Sequence, residues 1–179
     1  GHKLYAPKGV GALFIRKGVV LEKLIHGADH EMNHRAGTEN ILEISGLGKA
    51  CEIAGRDLVK NILHMRSMRD ELYNGIISSI PDVKMNGHPE KRLSNTLSLS
   101  FNGIEANTLL SELKGIADSA GAACHTDRID ISSVLKAMGV VEAYAMGTVR
   151  FSTGKYTTSE DILKASDEIT SVVKRLRAT

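Results

Sequence analysis

Two rhythms of apolar residues run through this sequence. From residue 41 to residue 76, Ile41, Ile44, Leu47, Cys51, Ala54, Leu58, Ile62, Met65, Leu72 and Ile76 step in threes and fours, with one break in register between Met65 and Leu72. That is the period of a helix with one buried face, so one long helix or two joined helices are predicted, opened by Thr38 and ended by Pro81. Cys51 lies on the stripe and is expected to pack in the core. Gly46, Gly48 and Gly55 interrupt it; each costs a helix up to about 1 kcal/mol against alanine, so they are expected where another element packs closely. Near the end of the chain, Thr158 with Asp161 three places on reads as a capping box. Ile162, Ala165, Ile169, Val172, Val173 and Leu176 then form one stripe, and Lys174, Arg175 and Arg177 suit the C-terminal end of that helix dipole.

The second rhythm alternates. Thr96–Phe101 places Leu97, Leu99 and Phe101 on one face of a strand and hydroxyls on the other, and Thr148–Ser152 alternates again before Gly154. Val10–Arg16 reads as a short buried strand, Ile116–Asp118 as another, and residues 82–89 as an extended piece and a turn. Ala106–Leu113 and Ser132–Met138 are short helix candidates, the latter ended by Gly139, whereas residues 26–37 have no apolar period and read as a loop. Strands interleaved with helices, the strands solvated on one side, predict an α+β fold with an antiparallel sheet packed against helices. No internal repeat or low-complexity tract is present.

Composition narrows the function classes. With 23 Lys and Arg against 21 Asp and Glu the net charge is +2, which leaves no broad basic field for nucleic acid. Hydrophobic residues at 42% and charged residues at 25% suit a globular core and disfavour disordered, collagenous and coiled-coil chains. No apolar run is long enough to span a membrane and no basic-then-apolar leader opens the chain, so a cytoplasmic protein without a membrane partner is expected. The opening Gly1-His2-Lys3, without an initiator methionine, reads as that of a processed or partial chain.

Candidate chemistry rests on a few positions. Cys124 follows the small residues Ser119-Ala120-Gly121-Ala122-Ala123 and precedes His125 and Arg128; it can be a reactive thiolate near cations or a small buried hydrophobe. Cys51 and Cys124 make neither a disulfide framework nor a zinc cluster. His26, His30 and His34 recur at four-residue intervals, but Gly27, Asn33 and Gly37 argue for a loop, so no metal site is expected. Lys3 beside His2 reads locally as a solvated terminal lysine. Arg35-Ala36-Gly37-Thr38 fits either a plain helix cap or a phosphate-binding turn, and Arg150 either a surface ion pair or a bidentate carboxylate contact.

Four segments, in order, give these positions a common frame: Gly1-His2-Lys3-Leu4-Tyr5-Ala6-Pro7-Lys8-Gly9, Arg35-Ala36-Gly37-Thr38-Glu39-Asn40, Ser119 to Cys124, and Val149-Arg150-Phe151-Ser152-Thr153-Gly154. Together they resemble the C-terminal part of the cysteine desulfurases, pyridoxal 5'-phosphate enzymes grouped with the class V aminotransferases. The resemblance implies residues 1–37 as a remnant of the large cofactor domain of a fold-type I enzyme, and residues 38–179 as a long linking helix with the small C-terminal α/β domain. It implies that Lys3 forms the internal Schiff base with pyridoxal phosphate, that His2 lies by the cofactor, and that Thr38 reaches the phosphate of a neighbouring subunit's cofactor in a homodimer. Cys124 would take sulfur from L-cysteine as a persulfide and pass it to an acceptor or scaffold protein for iron-sulfur cluster or other sulfur biosynthesis, with Arg150 on the substrate carboxylate. Ala6 replaces a usual glycine, and the family's N-terminal cofactor contacts are absent from these residues, so the chain alone is expected to be inactive. Selenocysteine lyase and a non-enzymatic docking or dimerisation module are the alternatives.

Overall fold

The computed structural model describes residues 1–116 and 131–178. They form two compact units, Gly1–Leu58 and Val59–Thr179. A 3-10 turn at His2–Leu4 and the one-turn α1 (His30–Asn33) precede α2 (Ile41–Arg56) and α3 (Leu58–Ser79). Then follow β1 (Val83–Met85), β2 (Thr96–Phe101), α4 (Ala106–Glu112), α5 (Ser133–Ala137), α6 (Glu142–Ala145), β3 (Thr148–Ser152) and α7 (Ser159–Arg177).

The second unit is built on an antiparallel sheet of order β1-β2-β3, with Val83 opposite Phe101, Leu99 opposite Val149 and Ser98 opposite Arg150. Period-two alternation turns Leu97, Leu99, Phe101, Val149 and Phe151 to one buried face. Helices α3, α4 and α7 close over that face with Leu72, Ile76, Leu109, Ile162, Ile169 and Val173. Each such side chain contributes about 1.5–3 kcal/mol on burial. The α+β class and the antiparallel sheet are as expected. Helix α7 starts at the expected capping box, in which the Thr158 side chain accepts from the Asp161 backbone N–H and the Asp161 carboxylate accepts from that of Thr158.

The hydroxyl face of β2 is drier than its pattern predicts. Ser100 is fully buried, its Oγ 2.7 Å from Thr148 Oγ1, and the Asn86 amide donates to Ser100 Oγ at 2.8 Å and Ser98 Oγ at 3.2 Å. A hydroxyl bonded in this way loses little by leaving water. Gly147 carries the chain into β3 against backbone: Phe101 N–H donates to its carbonyl at 3.0 Å and Ala106 N–H to that of Met146 at 2.9 Å.

Several expectations fail. Val10–Arg16 is not a strand, because no described segment pairs with its backbone. Ile116 is outside any strand, and the rest of the expected Ile116–Asp118 strand lies outside the described residues. The helix does not start at Thr38: Asn40 caps α2, its side-chain amide oxygen accepting from the backbone N–H of Glu43 three residues on. The join between α2 and α3 falls at Asp57 and not at the register break after Met65, where α3 is continuous and simply begins its buried face with Met68, Leu72 and Ile76.

Cys51 is exposed, not buried, and Ala50 is the only residue of α2 that is buried. Its stripe meets little in its own unit, which leaves Ile41 67% and Ile44 40% exposed. Of the three glycines, only Gly46 marks a close approach, since a Cβ there would lie 2.9 Å from Pro7 Cγ; Gly48 and Gly55 face open space.

Candidate functional site

Within the first unit, α2 sets the turn that carries Lys3. Gly46 admits Pro7 against the helix, and a side chain on Gly1 would meet Leu47 at 3.2 Å. The turn closes by Leu4 N–H donating to Gly1 O at 2.9 Å, and Tyr5 leaves it at φ 62°. His2 and Lys3 are both exposed, and the Lys3 amine makes no hydrogen bond or ion pair among the described residues.

The loop before α2 is held by charge. Arg35 donates to Gly37 O at 2.6 Å, Ala36 O at 3.2 Å and Glu31 Oε1 at 3.3 Å, while Gly37 turns at φ 103°. Thr38 follows, exposed, its hydroxyl unengaged among the described residues. The Glu39 carboxyl is held below its ordinary range by its own backbone N–H and then by the His30 ring at 3.1 Å. His34 Nδ1 lies 2.7 Å from Glu31 O, so His30 and His34 are each engaged within the loop.

In the second unit a cavity of about 550 Å3 opens beside β3, with Arg150, Ser152, Thr157, Gly115, Ile116 and Ile162 in its wall. Residues from both faces of β3 border it: Arg150 and Ser152, which alternation turns away from the core, and Phe151, which belongs to the core with Leu72 and Ile162 of the same wall. Asp161 also borders the cavity, but its carboxylate is spent on Thr158 N–H at 2.9 Å and Thr158 Oγ1 at 2.7 Å. Arg150 has no such partner among the described residues and is their only cation in this wall. A guanidinium fork without a partner among the described residues is suited to two parallel hydrogen bonds to a carboxylate.

His2, Lys3 and Thr38 thus share one unit, and Arg150 belongs to the other. Cys124 lies outside the described residues. Sequence reasoning missed Ser152, Thr157 and Gly115 as cavity residues. Only the alternation of β3 could have pointed to Ser152, two places from Arg150 on the same face.

A lysine turn, a threonine loop and an arginine strand follow one another in the chain in the order that the resemblance implies. The chain belongs to the aminotransferase class-V family, whose model matches residues 1–164. It is 44% identical over 180 residues to cysteine desulfurase 2 of Trichormus variabilis, covering 99% of this chain and 45% of that protein. To cysteine desulfurase IscS of Mannheimia succiniciproducens it is 41% identical over 179 residues, covering 99% and 44%. Among solved structures, a NifS-like protein superposes with a TM-score of 0.84 at 36% identity, over 97% of this chain and 44% of that one. The chain therefore spans about half the length of the relatives it matches. No helix among the described residues is long and apolar enough to cross a membrane.

Proposed function

We propose that the protein containing this chain is a cysteine desulfurase that uses pyridoxal phosphate to move sulfur from L-cysteine onto Cys124, leaving L-alanine. The observation that carries the reading is Arg150, a cationic side chain without a described partner on a residue that borders the cavity beside β3. The relatives named as cysteine desulfurases support it.

The first unit fits the cofactor chemically. Lys3 offers an exposed amine without a described partner for the aldehyde, and Thr38 offers a hydroxyl for the phosphate of a neighbouring subunit's cofactor, on a loop whose shape Arg35 and Gly37 fix. Bound there, pyridoxal phosphate supplies an electron sink for the substrate's α-carbon. Lys3, with His2 beside it in the turn, would hold the cofactor and move protons at the substrate carbon. Arg150 would grip the substrate carboxylate and so fix where its sulfur lies. Cys124, as thiolate, would bond to that sulfur as the carbon–sulfur bond breaks, giving a persulfide that an acceptor or scaffold protein collects for iron-sulfur cluster or other sulfur biosynthesis. If Thr38 serves a neighbouring subunit's cofactor the working unit is a homodimer, and its two cysteines, without a disulfide framework, suit the reducing cytoplasm.

The test is to incubate the natively expressed protein containing this chain with L-cysteine. Alanine should form in step with a gain of one sulfur on the peptide carrying Cys124, read by mass spectrometry. Cys124→Ala should keep the cofactor's absorbance and lose both products. Alanine release that survives Cys124→Ala refutes the sulfur-acceptor role.

A further inference from the structure

Beyond the end of α4 the chain turns through Leu113, and the next two backbone N–H groups aim at one atom. Glu168 Oε1, on α7, accepts from Lys114 N–H at 2.6 Å and from Gly115 N–H at 3.0 Å. A Cβ at Gly115 would lie 2.6 Å from Glu168 Oε2, so a side chain there would push the carboxylate from its place against the two amides. Glu168 forms no ion pair among the described residues, so these two amides are what its carboxylate serves. Gly115 and Ile116 then form part of the wall of the cavity that Arg150 borders, and Ile162 and Ala165 of α7 belong to the same wall. Glu168 follows Ala165 by three residues, one helical turn along α7.

The geometry points to Glu168 as a positioning residue for substrate binding: its carboxylate pins the Gly115–Ile116 backbone and so sets the width of the cavity in which Arg150 meets a small amino-acid carboxylate. This rests on the desulfurase reading above and adds to it a residue that never touches substrate. A carboxylate suits the task because one oxygen can accept two N–H donors from adjacent residues, and its charge strengthens both bonds. Glutamine can still accept both through its amide oxygen, whereas alanine can accept neither.

The experiment compares L-cysteine turnover by the natively expressed, cofactor-loaded protein with that of its Glu168→Ala, Glu168→Gln, Gly115→Ala and Arg150→Ala variants, alongside their melting temperatures. Glu168→Ala and Gly115→Ala should each raise KM about tenfold with kcat changed less than about twofold, and Glu168→Gln should stay within about twofold of the parent in both. A Glu168→Ala protein with unchanged KM, while Arg150→Ala raises it, overturns the inference and leaves the desulfurase reading standing. So does a Glu168→Gln protein as impaired as Glu168→Ala, or a fall in kcat and melting temperature without a rise in KM, which is the mark of a merely structural contact. An unchanged KM in Arg150→Ala strikes the substrate reading itself, and the inference falls with it.

Discussion

Replacing Gly147 by alanine tests how tightly the backbone holds the strand that carries Arg150. A Cβ at this position would overlap the carbonyl oxygen of Phe101 and lie 2.6 Å from that of Ile104. A comfortable C···O contact is about 3.3 Å or more, so the Ile104 carbonyl would have to retreat by most of an ångström and the Phe101 carbonyl by more than one. Neither is the free end of a flexible side chain. The bonds that straddle the site, Phe101 N–H to Gly147 O and Ala106 N–H to Met146 O, would open as they moved. Two backbone bonds at about 1 kcal/mol each, with about 1–3 kcal/mol of overpacking, give a loss of about 3–5 kcal/mol. Urea unfolding followed by far-UV circular dichroism measures this directly. Gly48→Ala is the matched control: it adds the same methyl to open space on α2 and should gain up to about 1 kcal/mol from helix propensity. A loss below about 1 kcal/mol at Gly147, or an equal loss at Gly48, would refute the steric argument.

Three further outcomes are expected. In the 179-residue chain, Cys51 should react with iodoacetamide in buffer nearly as fast as in urea, and strong protection in buffer would contradict its exposure. The Asp161 carboxyl sits below its ordinary range because the Thr158 backbone N–H, and then its hydroxyl, donate to it. A depressed carboxylate adds stability above its unfolded pKa, about 4, and loses it as pH falls through the lower folded value, so Asp161→Asn should destabilise at neutral pH by a margin that closes in acid; a margin constant with pH would count against it. Arg150→Lys keeps the charge but not the planar fork, so KM for L-cysteine should rise about tenfold, and about a hundredfold in Arg150→Ala; equal KM values for the two variants would exclude bidentate binding.

The sheet and its last helix were legible because their patterns are closed within the unit that buries them. Leu97, Leu99 and Phe101 alternate and find α3 and α7 waiting, and the Thr158–Asp161 box announces α7 by purely local chemistry. The stripe on α2 obeys the same period, yet Cys51 is exposed, because periodicity reports which residues share a face and not what covers it. Thr38 and Asn40 both suit a helix cap, and only the backbone decides that Asn40 reaches Glu43. Helix α6 escaped notice because Glu142–Ala145 is too short to show a period. Within the candidate site, Arg150 stood out on its strand, but nothing local links Glu168 to Gly115, 53 positions away.

The hydroxyl relay from Asn86 through Ser100 to Thr148 answers a question that greasy side chains cannot. A strand that slips by one residue turns its oily face to water and is rejected at once. A slip by two keeps oil against oil, and an apolar core would scarcely object. Here such a slip would part Ser100 from Thr148 and leave Asn86 with an amide pointing at the wrong neighbours, uncompensated inside the protein. The relay therefore proofreads the sheet against its cheapest error, and Arg150, opposite Ser98, is kept from docking one pleat away from where it belongs.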